Sequence, residues 1–463
     1  MNNAPAPGHQ TETGLGRPNA RSSDKSRPGL LVDRAFWGMI CTQFLGAFND
    51  NLYKQLMLLL AVPAVLIAAS EAGEGQAMTS DIQGWATFVF SAPFVIFSGF
   101  AGYLSDRFSK TPIIVLCKVA EVVIMALGLA AFYFYDAFGL AGTWVVLFLM
   151  GTQSTFFGPG KYGILPELFT VRDLPRANGL ILMSTFLAII FGIAFAGWLK
   201  TFLAGDTGTT QDLWPGLVIC LLIAVVGTGT ALMVRRVPAA EPNARFSPDC
   251  LALGTAIFET LKRDRLLTNA LLVSSVFWLV SGLAVPTVNR LGKQFAVDDF
   301  RISILTASIG FGIILGAMFA SWLCRQGWGD RSVSIGLWGM FAALVALGIW
   351  LTGGQHLLGY NGSIVALISM GVFAAIFAIP IQVFLQSRPP AELKGRMIAT
   401  MNQANFVGIM ISGPLYQLFE FISNRMQWPI CSVFLMMSLL VLPLAVFYRL
   451  QSTDSEQSAS RLA

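Results

Sequence analysis

Twelve stretches of at least 20 mostly apolar residues recur along this chain, near 36–69, 85–104, 112–134, 143–168, 178–199, 213–234, 267–289, 302–324, 332–352, 362–387, 396–422 and 428–449. As a helix, each is long enough to cross a bilayer core about 30 Å thick. In hydrocarbon a spanning segment must satisfy its own backbone polar groups, so such runs are read as helices. Only 12% of the 463 residues are charged, about half the share of an ordinary soluble domain. That is too little to cover a water-solvated body of this length. The pattern excludes a soluble multi-domain enzyme, a disordered chain and a nucleic-acid binder. The expected fold is an all-α membrane protein of twelve transmembrane helices.

The longest polar interval between runs, 235–265, divides the spans into two sets of six. The expected organisation is therefore a disordered tail over 1–35, a first six-helix bundle over 36–234, a linker over 235–265, a second bundle over 266–450 and a tail over 451–463. The first 35 residues are rich in Pro, Ser and Gly and lack the apolar core and cleavage site of a signal peptide. With the amino terminus placed inside, 22 Lys and Arg fall in inner segments. Only Lys200, Arg290, Lys293, Arg301 and Arg425 fall in outer loops. By the positive-inside rule both termini and the linker are cytoplasmic, as in a bacterial inner membrane. The six cysteines form no C-x-x-C pair, and His9 and His356 are the only histidines. No metal site and no cofactor is expected.

The halves echo each other. After the second span the chain reads Gly102-Tyr-Leu-Ser-Asp106-Arg107-Phe-Ser-Lys110, and after the eighth it reads Arg325-Gln-Gly-Trp-Gly-Asp330-Arg331. Twelve helices in two pseudo-symmetric bundles suit a transporter that rocks about a site at the membrane midplane. The first of these loops resembles the G-x-L-[SA]-D-R-x-x-[KR] loop of the major facilitator superfamily. The resemblance implies that Gly102, Asp106, Arg107 and Lys110 belong to the gate, bracing helix ends through charges that loosen during rocking.

Further stretches narrow the likeness. They are Gln43-Phe-Leu-Gly46-Ala-Phe48-Asn49-Asp50-Asn51, Gly160-Lys161-Tyr162-Gly163-Ile-Leu-Pro166-Glu167, Arg176-Ala177-Asn178-Gly179 and Gly395-Arg396-Met-Ile-Ala-Thr-Met-Asn402-Gln-Ala-Asn405. These resemble the lysophospholipid transporter branch, and also the transporter half of proteins that fuse it to a lysophospholipid acyltransferase. The resemblance implies a flippase moving lysophospholipid to the cytoplasmic leaflet by alternating access. Its partners would be the lysophospholipid or a similar amphiphile, the membrane lipid and, for re-acylation, a separate acyltransferase; no nucleic acid is implied. The chain itself is not expected to be an enzyme. An acyltransferase needs an Asp four residues after its histidine, whereas Thr13 stands there after His9 and Tyr360 after His356. The alternative is a proton-coupled exporter of small drugs or metabolites on the same fold, with Asp50 as the proton carrier.

Charges inside a membrane cost about 2.5–3.5 kcal/mol each on insertion scales, so those present ask for a use. Asp50 lies near the middle of the first span with Asn49 and Asn51 beside it, and Lys54 follows one turn on. Asp50 either pairs with Lys54 or faces the cavity with the two amides. Lys118 and Glu121, three apart, are either a local ion pair or substrate ligands. Lys161 has Glu167 as its nearest acid, six residues on. Six residues turn a helix by about 240°. Lys161 therefore seeks a partner on another helix, with Asp50 the natural choice, or binds a phosphate, or snorkels to the inner surface. The candidate substrate-binding set is Asp50, Asn49, Asn51, Lys161, Tyr162, Glu121, Lys118, Asn178, Asn402 and Asn405.

Overall fold

The computed structural model describes residues 29–61, 81–170, 173–205, 209–242, 255–326, 328–389 and 394–450. Residues 1–28 and 451–463 of the two tails, residues 62–80 with Pro63, and residues 243–254 of the linker lie outside the described residues.

Among the described residues twelve helices carry the fold. They are α1 (Arg34–Ala61), α2 (Gln83–Arg107), α3 (Lys110–Tyr133), α4 (Tyr135–Gly163), α5 (Leu174–Leu203), α6 (Trp214–Ala231), α7 (Arg265–Gln294), α8 (Asp299–Arg325), α9 (Gly329–Gly348), α10 (Gly359–Ser387), α11 (Lys394–Arg425) and α12 (Ser432–Phe447). Ten of them, α2 to α11, are long and apolar enough to cross a membrane. The first is diluted by Asp50 and Lys54, and the last has 16 residues. The protein is a multi-pass integral membrane protein.

Local chemistry sets the ends. The Asp33 carboxylate accepts the Ala35 N–H at 2.9 Å where α1 begins. Asp264 accepts Leu266 and Leu267 N–H, both at 3.1 Å, where α7 begins. Each satisfies donors that the first helical turn leaves orphaned. The fourth apolar run stops as a helix at Gly163, and a separate turn, Leu165–Leu168, follows with Pro166 in its first positions. The linker interval contains the short helix Thr255–Arg263, whose Ile257 is buried against the second-half core while Phe258 is exposed.

Helix pairing repeats between the halves. In the first, α1 packs on α5, α2 on α4, and α3 on α4 and α6; in the second, α7 packs on α11, α8 on α10, and α9 on α10 and α12. Two seams join the halves, α2 with α11 and α5 with α8, and the same symmetry exchanges them. Away from the seams the helices present apolar ridges. On α3, Leu116, Val119, Val123 and Leu127 are all exposed, a spacing that aligns them along one face. Water would not tolerate such a ridge and lipid does.

The end of the bundle where α1 begins also carries the Asp106–Arg107 turn and the linker; we call it the basic end. Contacts between halves gather at the opposite, far end. Gln55 donates to Asn289 at 2.9 Å, and Asn289 donates to Gln83 at 3.0 Å. Tyr416 donates to Asp81 at 2.7 Å, and Lys200 pairs with Asp299 at 2.8 Å. Gly84 and Gly413 pack backbone to backbone there, because a side chain at either position would meet the other's carbonyl oxygen. Deeper toward the basic end the seam holds the stacked Phe94 and Phe406 rings, with centroids 3.9 Å apart, and a bond from Gln403 to the Val95 carbonyl. Among the described residues the bonds between the halves lie at the far end and at mid-depth, so we treat the far end as the closed one.

Candidate functional site

Five ionisable side chains sit between the helix ends of the first half: Asp50, Lys54, Lys118, Glu121 and Lys161. They fall into three groups.

The first is a buried brace. Lys118 and Glu121 pair at 2.5 Å with side chains only 1% and 2% exposed. Asn49 of α1 donates to the second carboxylate oxygen of Glu121 at 3.0 Å. Gly46 makes this possible, since a Cβ there would collide with the Lys118 ammonium. The ammonium also lies over the Phe157 ring, 5.4 Å from its centroid. The sequence put Lys118, Glu121 and Asn49 among the substrate ligands. In this structure the three bond to one another, and the local ion pair that the spacing allows is present.

The second group is less buried. Asp50 is partly accessible, and the Ser154 hydroxyl of α4 donates to it at 2.5 Å. Ser154 and Lys161 are seven residues apart, so they share a face of α4. Lys161, Lys118 and Glu121 all stand near enough to act on the Asp50 charge. Lys161 thus has Asp50 as a neighbour on another helix. Glu167 is engaged elsewhere, in an ion pair with Lys110. Asn51 donates to the Ala47 carbonyl of its own helix at 2.8 Å.

Lys54 stands apart. Among the described residues no ion pair joins it to Asp50; its ammonium lies over the Phe90 ring at 4.8 Å from the centroid. One turn of helix allowed the Asp50–Lys54 pair, and the packing of α2 against α1 supplied an aromatic partner instead.

Of the remaining candidates, Asn178 is exposed at the first turn of α5 and bonds the Leu174 carbonyl, which puts it on the rim. The Tyr162 side chain lies outside the described residues. In the second half Asn405 accepts from Ser274 at 2.9 Å. Asn405 and Asn402, with Gln382, Phe277 and Trp278, line a small cavity. In the motif after α2, Arg107 bonds the Tyr103 hydroxyl on its own helix and lies over Phe108, while Asp106 accepts the Glu241 N–H at its backbone carbonyl. Lys110 is buried and bound to Glu167. In this structure the turn bonds within the first half and the linker. Nothing in the sequence marks Ser154, Gly46 or the Gln55–Asn289–Gln83 chain, because each matters only through a partner on another helix.

The family model for the Major Facilitator Superfamily matches residues 36–413. The Lysophospholipid transporter LplT of Serratia proteamaculans is 26% identical over 399 residues, covering 84% of this chain and 89% of that protein. The protein of the same name from Klebsiella pneumoniae is 26% identical over 397 residues, with the same coverage of each. Among solved structures, the inward open xylose transporter XylE from E. coli superimposes with TM-score 0.63 at 14% identity, covering 90% of this chain and 98% of that one. The POT family transporter PepTSo gives TM-score 0.67 at 12% identity, covering 89% and 96%. At such identity these likenesses speak for the fold. With two six-helix bundles and a polar site inside the first of them, the chain belongs to the Major Facilitator Superfamily, as a membrane transporter.

Proposed function

We propose that this transporter moves lysophospholipid toward the cytoplasmic leaflet by alternating access. The observation that carries the reading is the nearness of one carboxylate, Asp50, to one ammonium, Lys161, on two helices of the first half, beneath the closed far end. A phosphate headgroup asks for such a cation, and the carboxylate balances it between cycles. The names of the relatives that cover most of this chain support the same substrate class. The basic end is the cytoplasmic one, by its Lys and Arg content, and the membrane is a bacterial inner membrane. Residues 36–234 and 266–450 rock as two bodies, and the Gly102–Lys110 turn gates between them. The Lys118–Glu121–Asn49 brace holds α1 to α3 while they move. Re-acylation would fall to a separate acyltransferase.

The test is a leaflet-resolved flipping assay with labelled lysophospholipid in reconstituted vesicles. Lys161→Ala should reduce transport at least tenfold while leaving the protein monodisperse. Wild-type rates from that variant would sink the assignment. A second reading, proton-coupled export of a small solute, draws on Asp50 having a neutral hydroxyl as its hydrogen-bond partner. Transport that requires a proton gradient, without lysophospholipid activity, would favour it.

A further inference from the structure

The inference concerns Lys54, which the brace and the Asp50–Lys161 pair leave unused. Three observations bear on it. First, position: along α1, Ala47, Phe48, Asp50, Asn51 and Lys54 are partly accessible, whereas Gln55 to Leu59 are all buried. Lys54 is therefore the last accessible polar residue before the seal, next to Gln55, which bonds across the halves. Second, surroundings: among the described residues its contact is the Phe90 ring. Phe90 neighbours Phe94, which stacks on Phe406 of the other half. The ammonium thus stands toward the closed far end, against an aromatic wall that spans the seam. Third, charge: within the helices of the first half the five ionisable groups comprise three lysines and two carboxylates. Glu121 pairs with Lys118 and Asp50 stands near Lys161, so these five sum to one positive charge. A cation in a membrane interior with only a ring beside it is incompletely compensated.

We propose that Lys54 selects the charge of the headgroup: it gives the site a surplus positive charge that an anionic lysophospholipid, with phosphate esterified to an uncharged polyol, neutralises, and that a zwitterionic one, carrying phosphate and ammonium together, does not. The proposal rests on the lysophospholipid reading and adds the headgroup class to it. Lys161 meets the phosphate first, near the basic end. Lys54 contacts the headgroup beyond the phosphate only through its charge, which a net-neutral headgroup does not need.

The experiment uses the full chain in proteoliposomes and compares initial uptake of lysophosphatidylglycerol and lysophosphatidylethanolamine with the same labelled acyl chain. Wild type should favour the anionic lipid about tenfold in kcat/KM, the scale of one desolvated charge pair. Lys54→Gln should lower anionic uptake about tenfold and leave zwitterionic uptake within twofold; Lys54→Arg should keep the preference. Equal rates for the two lipids in wild type, or an equal loss of both in Lys54→Gln, would overturn the role of Lys54 and leave the lysophospholipid reading standing. A wild type that moves neither lipid would refute that reading, and the selection with it. Should Lys54→Gln fail to fold, the wild-type preference and its retention in Lys54→Arg decide the matter.

Discussion

Breaking the Lys118–Glu121 pair from one side should cost far more than removing it whole. Both side chains are almost wholly buried, their charged atoms are 2.5 Å apart, and Asn49 completes the group. Solvent does not screen such a pair, so the discount applied to surface salt bridges does not apply. Lys118→Met leaves the Glu121 carboxylate with Asn49 as its one donor. Stranding a buried charge in this way costs about 3–5 kcal/mol. Replacing the pair by apolar residues of similar volume is commonly neutral within about 1 kcal/mol, so Lys118→Met with Glu121→Leu should recover most of the loss. The measurement is unfolding free energy in mixed micelles titrated with SDS, followed through the 11 tryptophans, alongside vesicle transport. A loss below about 1 kcal/mol in the single variant would refute the brace. So would a double variant that is fully stable yet inactive, because that result would put these charges on the substrate.

Three further outcomes are expected. Asp264→Ala removes a cap that holds two N–H groups and the ion pair with Arg388; it should cost about 1–2 kcal/mol of unfolding free energy, whereas Asp264→Asn keeps the cap and loses less. Burial pushes the Asp264 carboxyl up, but the Arg388 hydrogen bond and the backbone donors outweigh it and hold the group below the ordinary carboxylate range. Its stabilisation is therefore full above that range and lost as pH falls through the depressed value, which an acid titration of thermal stability checks. At the far end burial lifts the Asp81 carboxyl above its usual value, against hydrogen bonds from Gln83 and Tyr416 and the Arg290 charge. The sealed state then binds the proton more tightly than an open, solvated one. Acidifying the far side from neutral should slow labelling of a cysteine placed at Gln55 by an impermeant thiol reagent by more than the loss of thiolate accounts for, and Asp81→Asn should remove that excess. Finally, Gly84→Val puts a branched side chain against the Gly413 carbonyl. It should wedge the far end open, read as a longer distance between spin labels on α2 and α11.

The architecture was legible because it rests on one-dimensional signals. Apolar run length located each long helix among the described residues. Buried charges were legible for the same reason, since an ionisable residue inside an apolar run stands out. Partners were legible only where both members share a helix. Lys118 and Glu121, three apart, pair as their spacing allows. Asp50 and Lys54, four apart, have equally good spacing, yet the Phe90 ring takes the lysine. Lys110 with Glu167, 57 positions apart, and Arg290 with Glu420 depend on tertiary packing that no local pattern encodes. Gly46 shows the same limit from the other side: its role is the space it leaves for an ammonium on α3.

The distribution of bonds also explains how such a molecule can rock. Most ion pairs lie within a half: Lys110–Glu167 and Lys118–Glu121 in the first, Arg290–Glu420 and Arg388–Asp264 in the second. Breaking a buried ion pair strands charge at several kcal/mol, so these contacts keep each bundle rigid. The seam between the bundles is held differently. Gln55, Asn289 and Gln83 exchange neutral amide hydrogen bonds, each worth about 0.5–1.5 kcal/mol net. Asp81, bonded to Tyr416, is buried just before α2 begins at the far end, where water replaces the phenol once the seam parts. The ion pair across the seam, Lys200 with Asp299, follows the same logic, because Asp299 is also held at 2.8 Å by Lys293 of its own half. When Lys200 withdraws, the carboxylate keeps a cation and no bare charge is left behind. A seam of weak or shared bonds between bodies of strong ones lets a modest binding energy shift the balance between open states.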